Sequence, residues 1–544
     1  MTNQLNFKYL KMKIVKLSYL SLVVALALTG CGTSKVVTYN VDKLPLKNAK
    51  LTDDQLKRWS HADILLDTVP GMSVDRAYAE LLKGKKGVKV IVGIVDSGVD
   101  IEHEDLNTVI WTNAKEIPGN GIDDDKNGYI DDIHGWNFLG DITKERLEYE
   151  RIAMDKTLTD EATYLKAKGM VDKKLAESSE AKTQIEQTLT VVNASDDVLK
   201  KHLNKNVYTV EEVNAISSTD ASIVQAQKVM KQMLSYGLPV EDLKKEIQKE
   251  LDDVTSYETH INKNYRTVLG DNPRDINDKK YGNNNVIGPD KDEALHGTHV
   301  AGIVAQGRNN NLGGDGVASN NVEILTVRAV PDGDEYDKDI ALGIRYAVDN
   351  GAKVINGSFG KSFSPQKQWV FEAIKYAESK DVLIVHAAGN DAKDIDVEDN
   401  YPNDSEDKVT EIADNLITIG ALNFQYGTNV VANFSNYGAI NVDVFAPGVQ
   451  IYATTPKNEY KYLAGTSMAA PNAAGVAALI RSYYPDLTAS QVKKILMESG
   501  TKINTDVQVG GPKGDKKPFA SLSKSGRIVN AYTALQMAEK MSKK

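Results

Sequence analysis

Cysteine is all but missing from this sequence. Cys31 is the only one in 544 residues, so no disulfide can close within the chain in any compartment. A basic excess is missing too: 65 lysines and arginines face 75 aspartates and glutamates, a net charge of −10. That balance argues against nucleic acid as a partner, because phosphate backbones are held by a basic face. Long apolar runs are also scarce, and the one at 17–28 is too short for a comfortable bilayer span. What is present is a globular composition, 41% hydrophobic and 26% charged, enough for a sizeable core. The length accommodates several average domains or one large α/β domain with insertions.

The short apolar run has a context. Lys8, Lys11, Lys13 and Lys16 precede it, and Leu28-Thr29-Gly30-Cys31 ends it. A basic segment, a short apolar segment and small residues at a cleavage point describe a secretory signal. Leu-Thr-Gly-Cys also resembles the lipobox of bacterial lipoproteins, in which the cysteine is lipidated and becomes the mature N-terminus. The expectation is a signal peptide at 1–30, a lipid on Cys31, and a protein exported and anchored to a bacterial membrane on its periplasmic or cell-surface side. An ordinary signal or a buried N-terminal helix is the alternative.

Residues 31–60 are polar and read as a tether. Patterning begins in the next stretch, 61–140. Val74, Ala77, Tyr78, Leu81 and Leu82 fall at helical spacing, and 88–95 is a β-branched run bounded by glycine, as expected of a strand covered on both faces. Residues 141–285 are a different material, rich in Lys, Glu, Asp and Gln and without buried-strand runs. Ile223, Ala226, Val229, Met230, Met233 and Leu234 recur at helical spacing, as do Val240, Leu243, Ile247, Leu251 and Val254. Pro239 followed by Glu241 and Asp242 suits a helix start. The stretch is expected to be a helical insertion whose apolar stripe is its own core. From 286 to 544, strand-length runs at 324–330, 354–358, 382–388 and 416–421 alternate with helical stretches at 339–350 and 365–380. This alternation predicts an α/β fold, a parallel sheet flanked by helices with a large inserted helical region. Ligands of such sheets sit at the carboxyl ends of strands.

Three motifs set one reactive group each among small residues: Val92-Gly93-Ile94-Val95-Asp96-Ser97-Gly98, His296-Gly297-Thr298-His299-Val300-Ala301-Gly302 and Gly465-Thr466-Ser467-Met468-Ala469-Ala470-Pro471. Alone, each is ordinary: Asp-Ser-Gly is commonly a turn, and a serine after threonine commonly a helix cap. His296 and His299 lack the i, i+4 pair and the glutamate of a zinc helix. As a set they supply what turns a hydroxyl into a nucleophile. An imidazole takes its proton, and a buried carboxylate holds that imidazole in the right tautomer.

In that chain order the motifs resemble the subtilisin-like serine peptidases, over roughly 60–140 and 285–535. The resemblance implies that Asp96 is the catalytic aspartate, His296 the general base and Ser467 the nucleophile. It implies that Asn390, in Ala387-Ala388-Gly389-Asn390, is the side-chain donor of the oxyanion hole. Ser358-Phe359-Gly360 resembles the segment that pairs with an extended peptide and walls the primary pocket, with Ala387-Ala388-Gly389 as the opposite wall. Phe359 departs from the family's usual large aliphatic residue. The expected activity is therefore that of a membrane-anchored serine endopeptidase acting on polypeptides through an acyl-enzyme, with a broad, apolar-leaning preference. The competing reading is a binding or scaffolding lipoprotein working through its helical insert. Retention of Asp96, His296, Asn390 and Ser467 counts against it.

One loop points to a cation. In the run from Asn120 to Asp132, Asp123, Asp125 and Asn127 precede Gly128 in the manner of the first half of an EF-hand loop, with a carbonyl expected from Tyr129 and an acid from Asp131. Alternating oxygen ligands suit calcium, and glycine permits the bend. His134 stands where a bidentate glutamate is wanted, and an acidic Asx-turn loop is the alternative. By the family resemblance, Asp105 and Asn310 fall where many subtilisins hold a structural calcium.

Overall fold

Val90–Asp96 (β1) is the strand about which the molecule is built. Val92 and Ile94 point into one apolar core, and Ile91 and Val95 into another. Alternate side chains leave opposite faces of a strand, so a run apolar at every position is covered on both. The computed structural model describes residues 41, 50–511 and 513–543. The signal-peptide and lipidation readings at 1–31 lie outside the described residues.

The remaining strands, in chain order, are Gly135–Asn137 (β2), Val322–Arg328 (β3), Val354–Gly357 (β4), Leu383–Ala387 (β5), Leu416–Leu422 (β6), Val444–Pro447 (β7), Ile451–Thr455 (β8), Glu459–Leu463 (β9), Thr501–Lys502 (β10), Asp506–Gln508 (β11), Lys516–Pro518 (β12) and Arg527–Ile528 (β13). Eight of them join β1 in one nine-stranded sheet in the order β10-β13-β7-β6-β5-β4-β1-β3-β2, parallel except for the β10–β13 edge pair. The chain leaves β1 toward β3 on one side and toward β4 on the other. The crevice at the carboxyl ends of β1 and β4 is thus the topological switch point, where such sheets bind ligands. Asp96 ends β1 and Ser358 follows β4.

The longer helices are Glu148–Met154 (α1), Glu161–Leu203 (α2), Val210–Ala215 (α3), Ala221–Leu234 (α4), Val240–Asn262 (α5), Leu295–Ala305 (α6), Asp337–Asp349 (α7), Lys367–Ser379 (α8), Thr466–Tyr483 (α9), Ala489–Ser499 (α10) and Ala531–Ser542 (α11). Helices α6, α9, α10 and α11 cover one face of the sheet, and α7 and α8 the other. This is the helix-flanked parallel sheet expected of the sequence, and the strand runs fall within a few residues of their expected places. The β8–β9 hairpin and the short β2 carry too little pattern to be read in advance.

Two stretches differ from expectation. The reading of 31–60 as tether does not hold over its last part: Asp53–Arg58 is a helix closed by a Thr52–Gln55 capping box. Trp59 after it is buried, its indole N–H donating to the Val449 carbonyl at 3.0 Å, so the sheet domain begins before residue 60. The helical spacing at 73–82 becomes two turns, an α-turn at Val74–Ala77 and a wider π-turn at Tyr78–Leu82.

Helices α1 to α5 occupy the stretch between β2 and α6. The 43-residue α2 is roughly 65 Å long. At its far end Val192 and Leu199 pack with Tyr208, Val213, Ala226, Met230, Leu234 and Val240 into a core separate from those of the sheet. Each such buried side chain contributes about 1.5–3 kcal/mol. Near the sheet, Ile152 of α1 and Ala167 of α2 pack on Phe363, five residues beyond Ser358. Among the described residues no helix is long and apolar enough to cross a membrane.

Candidate active site

Asp96 is 1% exposed, and its Oδ1 accepts two hydrogen bonds of 2.7 Å, from the Ser97 backbone N–H and from His296 Nδ1. His296 stands at the second position of α6, brought 200 residues along the chain to the end of β1. Gly297 makes the approach possible, since a Cβ there would lie 2.1 Å from the Gly98 carbonyl oxygen. Burial alone would hold the imidazolium down, but the Asp96 carboxylate overrides it and raises the His296 pKa above its ordinary 6.5. Its side chain is 35% exposed, so the ring's second nitrogen has access to the cleft.

Ser467 lies in the first turn of α9, where the helix leaves N–H groups unpaired. Its hydroxyl donates to the Ser358 carbonyl at 3.2 Å, and the Ser358 hydroxyl donates back to the Ser467 carbonyl at 2.9 Å. Beside it, Asn390 Oδ1 accepts from the Thr466 N–H at 2.8 Å and the Thr466 hydroxyl at 3.0 Å. This fixes the amide plane and leaves the Asn390 NH₂ without a hydrogen-bond partner among the described residues. Asp96, His296, Ser467 and Asn390 thus converge at the carboxyl ends of the central strands.

The two expected walls flank them. Ser358, Phe359 and Gly360 follow β4, and Phe359 lies edge-on to the His386 ring with centroids 6.0 Å apart. Ala387 ends β5, and the Ala388 and Gly389 backbone is held by Asn436, whose amide donates to the Ala388 carbonyl at 2.9 Å and whose N–H donates to that of Gly389 at 2.9 Å. Asn400 stands between the walls: its Oδ1 would be 3.6 Å from a Cβ on Gly360 and 3.3 Å from one on Gly389.

Several supports escaped the sequence reading. His386, assigned no role there, bonds the Phe359 carbonyl through Nε2 at 2.8 Å, and burial lowers its pKa to about 4, so it stays neutral. Thr466 lay within the serine motif, whereas Asn436 and Asn400 stand in polar stretches that carried no signal. His299, the second histidine of its motif, is buried, bonds the Lys461 carbonyl at 3.0 Å, and is likewise lowered to about 4 by burial.

A buried ionic cluster adjoins the first wall. Lys361 Nζ bonds Glu148 Oε2 at 2.7 Å, the Glu335 carbonyl at 2.7 Å and Asp337 Oδ1 at 2.9 Å. Arg151 bonds Glu148 Oε2 at 2.5 Å and the Asp334 and Glu335 carbonyls at 2.7 and 3.0 Å. Burial would raise the Glu148 pKa, yet Arg151 and Lys361 bring it down to about 2. Glu335 Oε1 has no hydrogen-bond partner among the described residues, and burial pushes the Glu335 pKa up to about 8.

In the acidic loop, carboxylate oxygens of Asp123 and Asp125 lie within 4.8 Å of one another and of Glu116, an acid the loop pattern did not include. Asp131 faces elsewhere, accepting the N–H groups of Asn120 and Gly121, and Asn127 Oδ1 accepts the Tyr129 N–H. The oxygen-only set fits a hard cation. At the second location, Asp105 is 4% exposed and its Oδ2 has no partner, while Asn310 Nδ2 reaches Oδ1 at 2.6 Å. A buried, half-satisfied carboxylate also fits a cation.

Comparison with known proteins identifies the family. The model of the subtilase family matches residues 87–514, and the chain belongs to that family, whose members are serine peptidases of the subtilisin type. It is 44% identical over 189 residues to the thermophilic serine proteinase of Bacillus sp. strain AK1, covering 34% of this chain and 42% of that protein. It is 37% identical over 219 residues to subtilisin DY of Bacillus licheniformis, covering 40% of this chain and 73% of that protein. Among solved structures, one described as proteases from Pseudoalteromonas arctica PAMC 21717 is 31% identical, with 45% of this chain and 70% of that one covered and a TM-score of 0.37. The chain thus spans less than half the length of the first relative and about three quarters of the second.

Proposed function

We propose that the protein is a serine endopeptidase that hydrolyses polypeptides through an acyl-enzyme. The observation that carries this reading is the 2.7 Å bond from His296 Nδ1 to the buried Asp96, beside a serine at the start of a helix. A bound peptide whose N–H pairs with the Ser358 carbonyl displaces the Ser467 hydroxyl from it, and the hydroxyl turns to His296 Nε2. His296 takes the proton as Ser467 Oγ attacks the scissile carbonyl, and Asp96 stabilises the imidazolium. The oxygen that gains charge is met by the Asn390 NH₂ and the Ser467 N–H at the positive end of α9. The proton then passes to the leaving amine, the C–N bond breaks, and water reverses the sequence to release the acid.

In the same reading, calcium is a structural ion. Glu116, Asp123 and Asp125 hold one ion, and Asp105 with the Asn310 loop another; the metal supplies charge neutralisation among acids and takes no part in the reaction. The Cys31 context supports export and lipid anchoring to a bacterial membrane. Asn400 gives the pocket between the walls a neutral base, in keeping with a preference that is broad and not directed at basic side chains.

Labelling with a serine-directed fluorophosphonate tests the core of the proposal. The wild type is expected to label and Ser467→Ala to stay blank; absence of labelling in folded, calcium-loaded wild type would overturn it.

A further inference from the structure

The two backbone segments that flank the cleft have unequal resources. Ser358 directs its carbonyl at Ser467, and side-chain and backbone directions repeat every second residue in an extended strand. Gly360 therefore presents its N–H and C=O on the same side. Both lack protein partners among the described residues, and Gly360 is exposed. The intervening groups go the other way: Lys361 exchanges 2.9 Å hydrogen bonds with Tyr401 in both directions. A peptide with its carbonyl at Ser467, lying antiparallel to 358–360, then sets its first residue against Ser358 and its third against Gly360.

The facing segment is 332–335. Asp332 and Asp334 direct backbone groups to 143–146, through Glu145 N–H to Asp332 C=O at 2.8 Å, Asp332 N–H to Thr143 C=O at 2.8 Å, and Asp334 N–H to Arg146 C=O at 3.4 Å. Gly333 and Glu335 carry theirs on the opposite edge. Gly333 has no hydrogen-bond partner among the described residues, but the Glu335 carbonyl is filled twice, by Lys361 Nζ and by Arg151 Nη2. Lys361 is held there by Glu148, and both Glu148 and Arg151 belong to α1 of the helical region. Immediately beyond, Ile152 of α1 packs on Phe363.

We infer that α1, through Arg151 and the Glu148–Lys361 pair, closes the acyl-side end of the peptide cleft, so that backbone recognition stops at the third residue before the scissile bond. The inference rests on the serine-peptidase reading and deepens it. Arg151, Glu148 and Lys361 are positioning residues that set the length of peptide the enzyme senses. The group that a fourth residue would pair with, the Glu335 carbonyl, is already satisfied. Past Gly360 and Glu335 the two segments meet α1, Phe363 packing on Ile152 and the Tyr336 ring lying under the Arg151 guanidinium.

The test uses the full-length protein and N-capped peptide anilides with two to five residues on the acyl side. Wild-type kcat/KM is expected to rise about tenfold from two to three residues, as for well-made hydrogen bonds, and by less than about threefold from three to five. Methylating the third residue's amide nitrogen is expected to cost about tenfold, and methylating the fourth's next to nothing. In Arg151→Met/Lys361→Met/Glu148→Gln, which removes both donors to the Glu335 carbonyl together with the acid that pairs them, the gain is expected to extend to the fourth residue, with fluorophosphonate labelling at the wild-type rate. Wild-type gains of about tenfold or more beyond the third residue would overturn the inference even if the triple variant did not fold. Cleavage with that result leaves the peptidase reading intact, whereas neither labelling nor cleavage overturns that reading and this one with it.

Discussion

Ser358 and Ser467 exchange hydrogen bonds: the Ser467 hydroxyl donates to the Ser358 carbonyl at 3.2 Å, and the Ser358 hydroxyl donates to the Ser467 carbonyl at 2.9 Å. The nucleophile is thereby tied to the strand that a peptide would pair with. Asn356 holds the Ser358 hydroxyl in turn at 2.9 Å, so the tie is anchored within β4. The peptide N–H and the Ser467 hydroxyl compete for one carbonyl oxygen, so pairing of the substrate frees the nucleophile and couples binding to chemistry.

The pH dependence follows from His296. Its pKa is raised above 6.5 by Asp96 against the pull of burial, and the imidazole works as a base only when neutral. Activity is therefore expected to climb with pH through a value above 6.5. In Asp96→Asn the raising partner is gone and burial remains, so the acid limb should move below 6.5 while kcat falls by about 10⁴. By linkage the ion pair stabilises the fold fully below 6.5 and its contribution is lost as pH rises through the folded value. A pH–rate profile of both proteins checks the first expectation, and an acid limb that stays put in the variant would refute it.

Asn390 offers a donor that no group among the described residues uses. Asn390→Ala is expected to lower kcat by about 10²–10³, or roughly 3–4 kcal/mol of barrier, with KM little changed, because the bond forms only as charge develops. Steady-state kinetics on one anilide substrate decides it; a loss confined to KM would assign the amide to ground-state binding.

Chelation should lower the melting temperature. A cation at 100 times its dissociation constant adds about 2.7 kcal/mol to the folded state, which excess chelator removes. Glu116→Gln and Asp105→Asn should each lose part of the chelator response, which apportions it between the two locations. A melting curve indifferent to chelator would rule both out.

The helical region has its own core, so it should yield on its own. Leu199 is fully buried there, and Leu199→Ala is expected to cost about 2–5 kcal/mol locally. Hydrogen exchange should quicken across 192–240 and not in β1, since separate cores open separately. Uniform acceleration would show that the helices and the sheet unfold as one unit.

Much of this was legible in order along the chain. Strands such as Val90–Asp96 announce themselves because a parallel sheet covered on both faces needs near-continuous β-branched runs, and α4 and α5 because apolar residues recur at helical spacing. Asp96, His296 and Ser467 were legible because close approach of backbones demands small neighbours around each reactive group. The β8–β9 hairpin was not, since its exposed outer strand has no apolar pattern. Nor was Glu116, which joins Asp123 and Asp125 from outside the loop motif, or the turning of Asp131 toward Asn120 and Gly121.

The sequence by itself therefore determined the chemistry: which carboxylate, imidazole and hydroxyl are available, and that they end apolar strands or begin a helix of small residues. Local propensity and side-chain chemistry suffice for that. Only the tertiary structure decided who meets whom across long separations, as when Glu148 and Arg151 meet Lys361 more than 200 positions later. Ion pairs and carbonyl contacts of this kind leave no periodic trace, because they are set by how two cores dock and not by either segment's own pattern. The length of cleft left open to a peptide is a property of that docking.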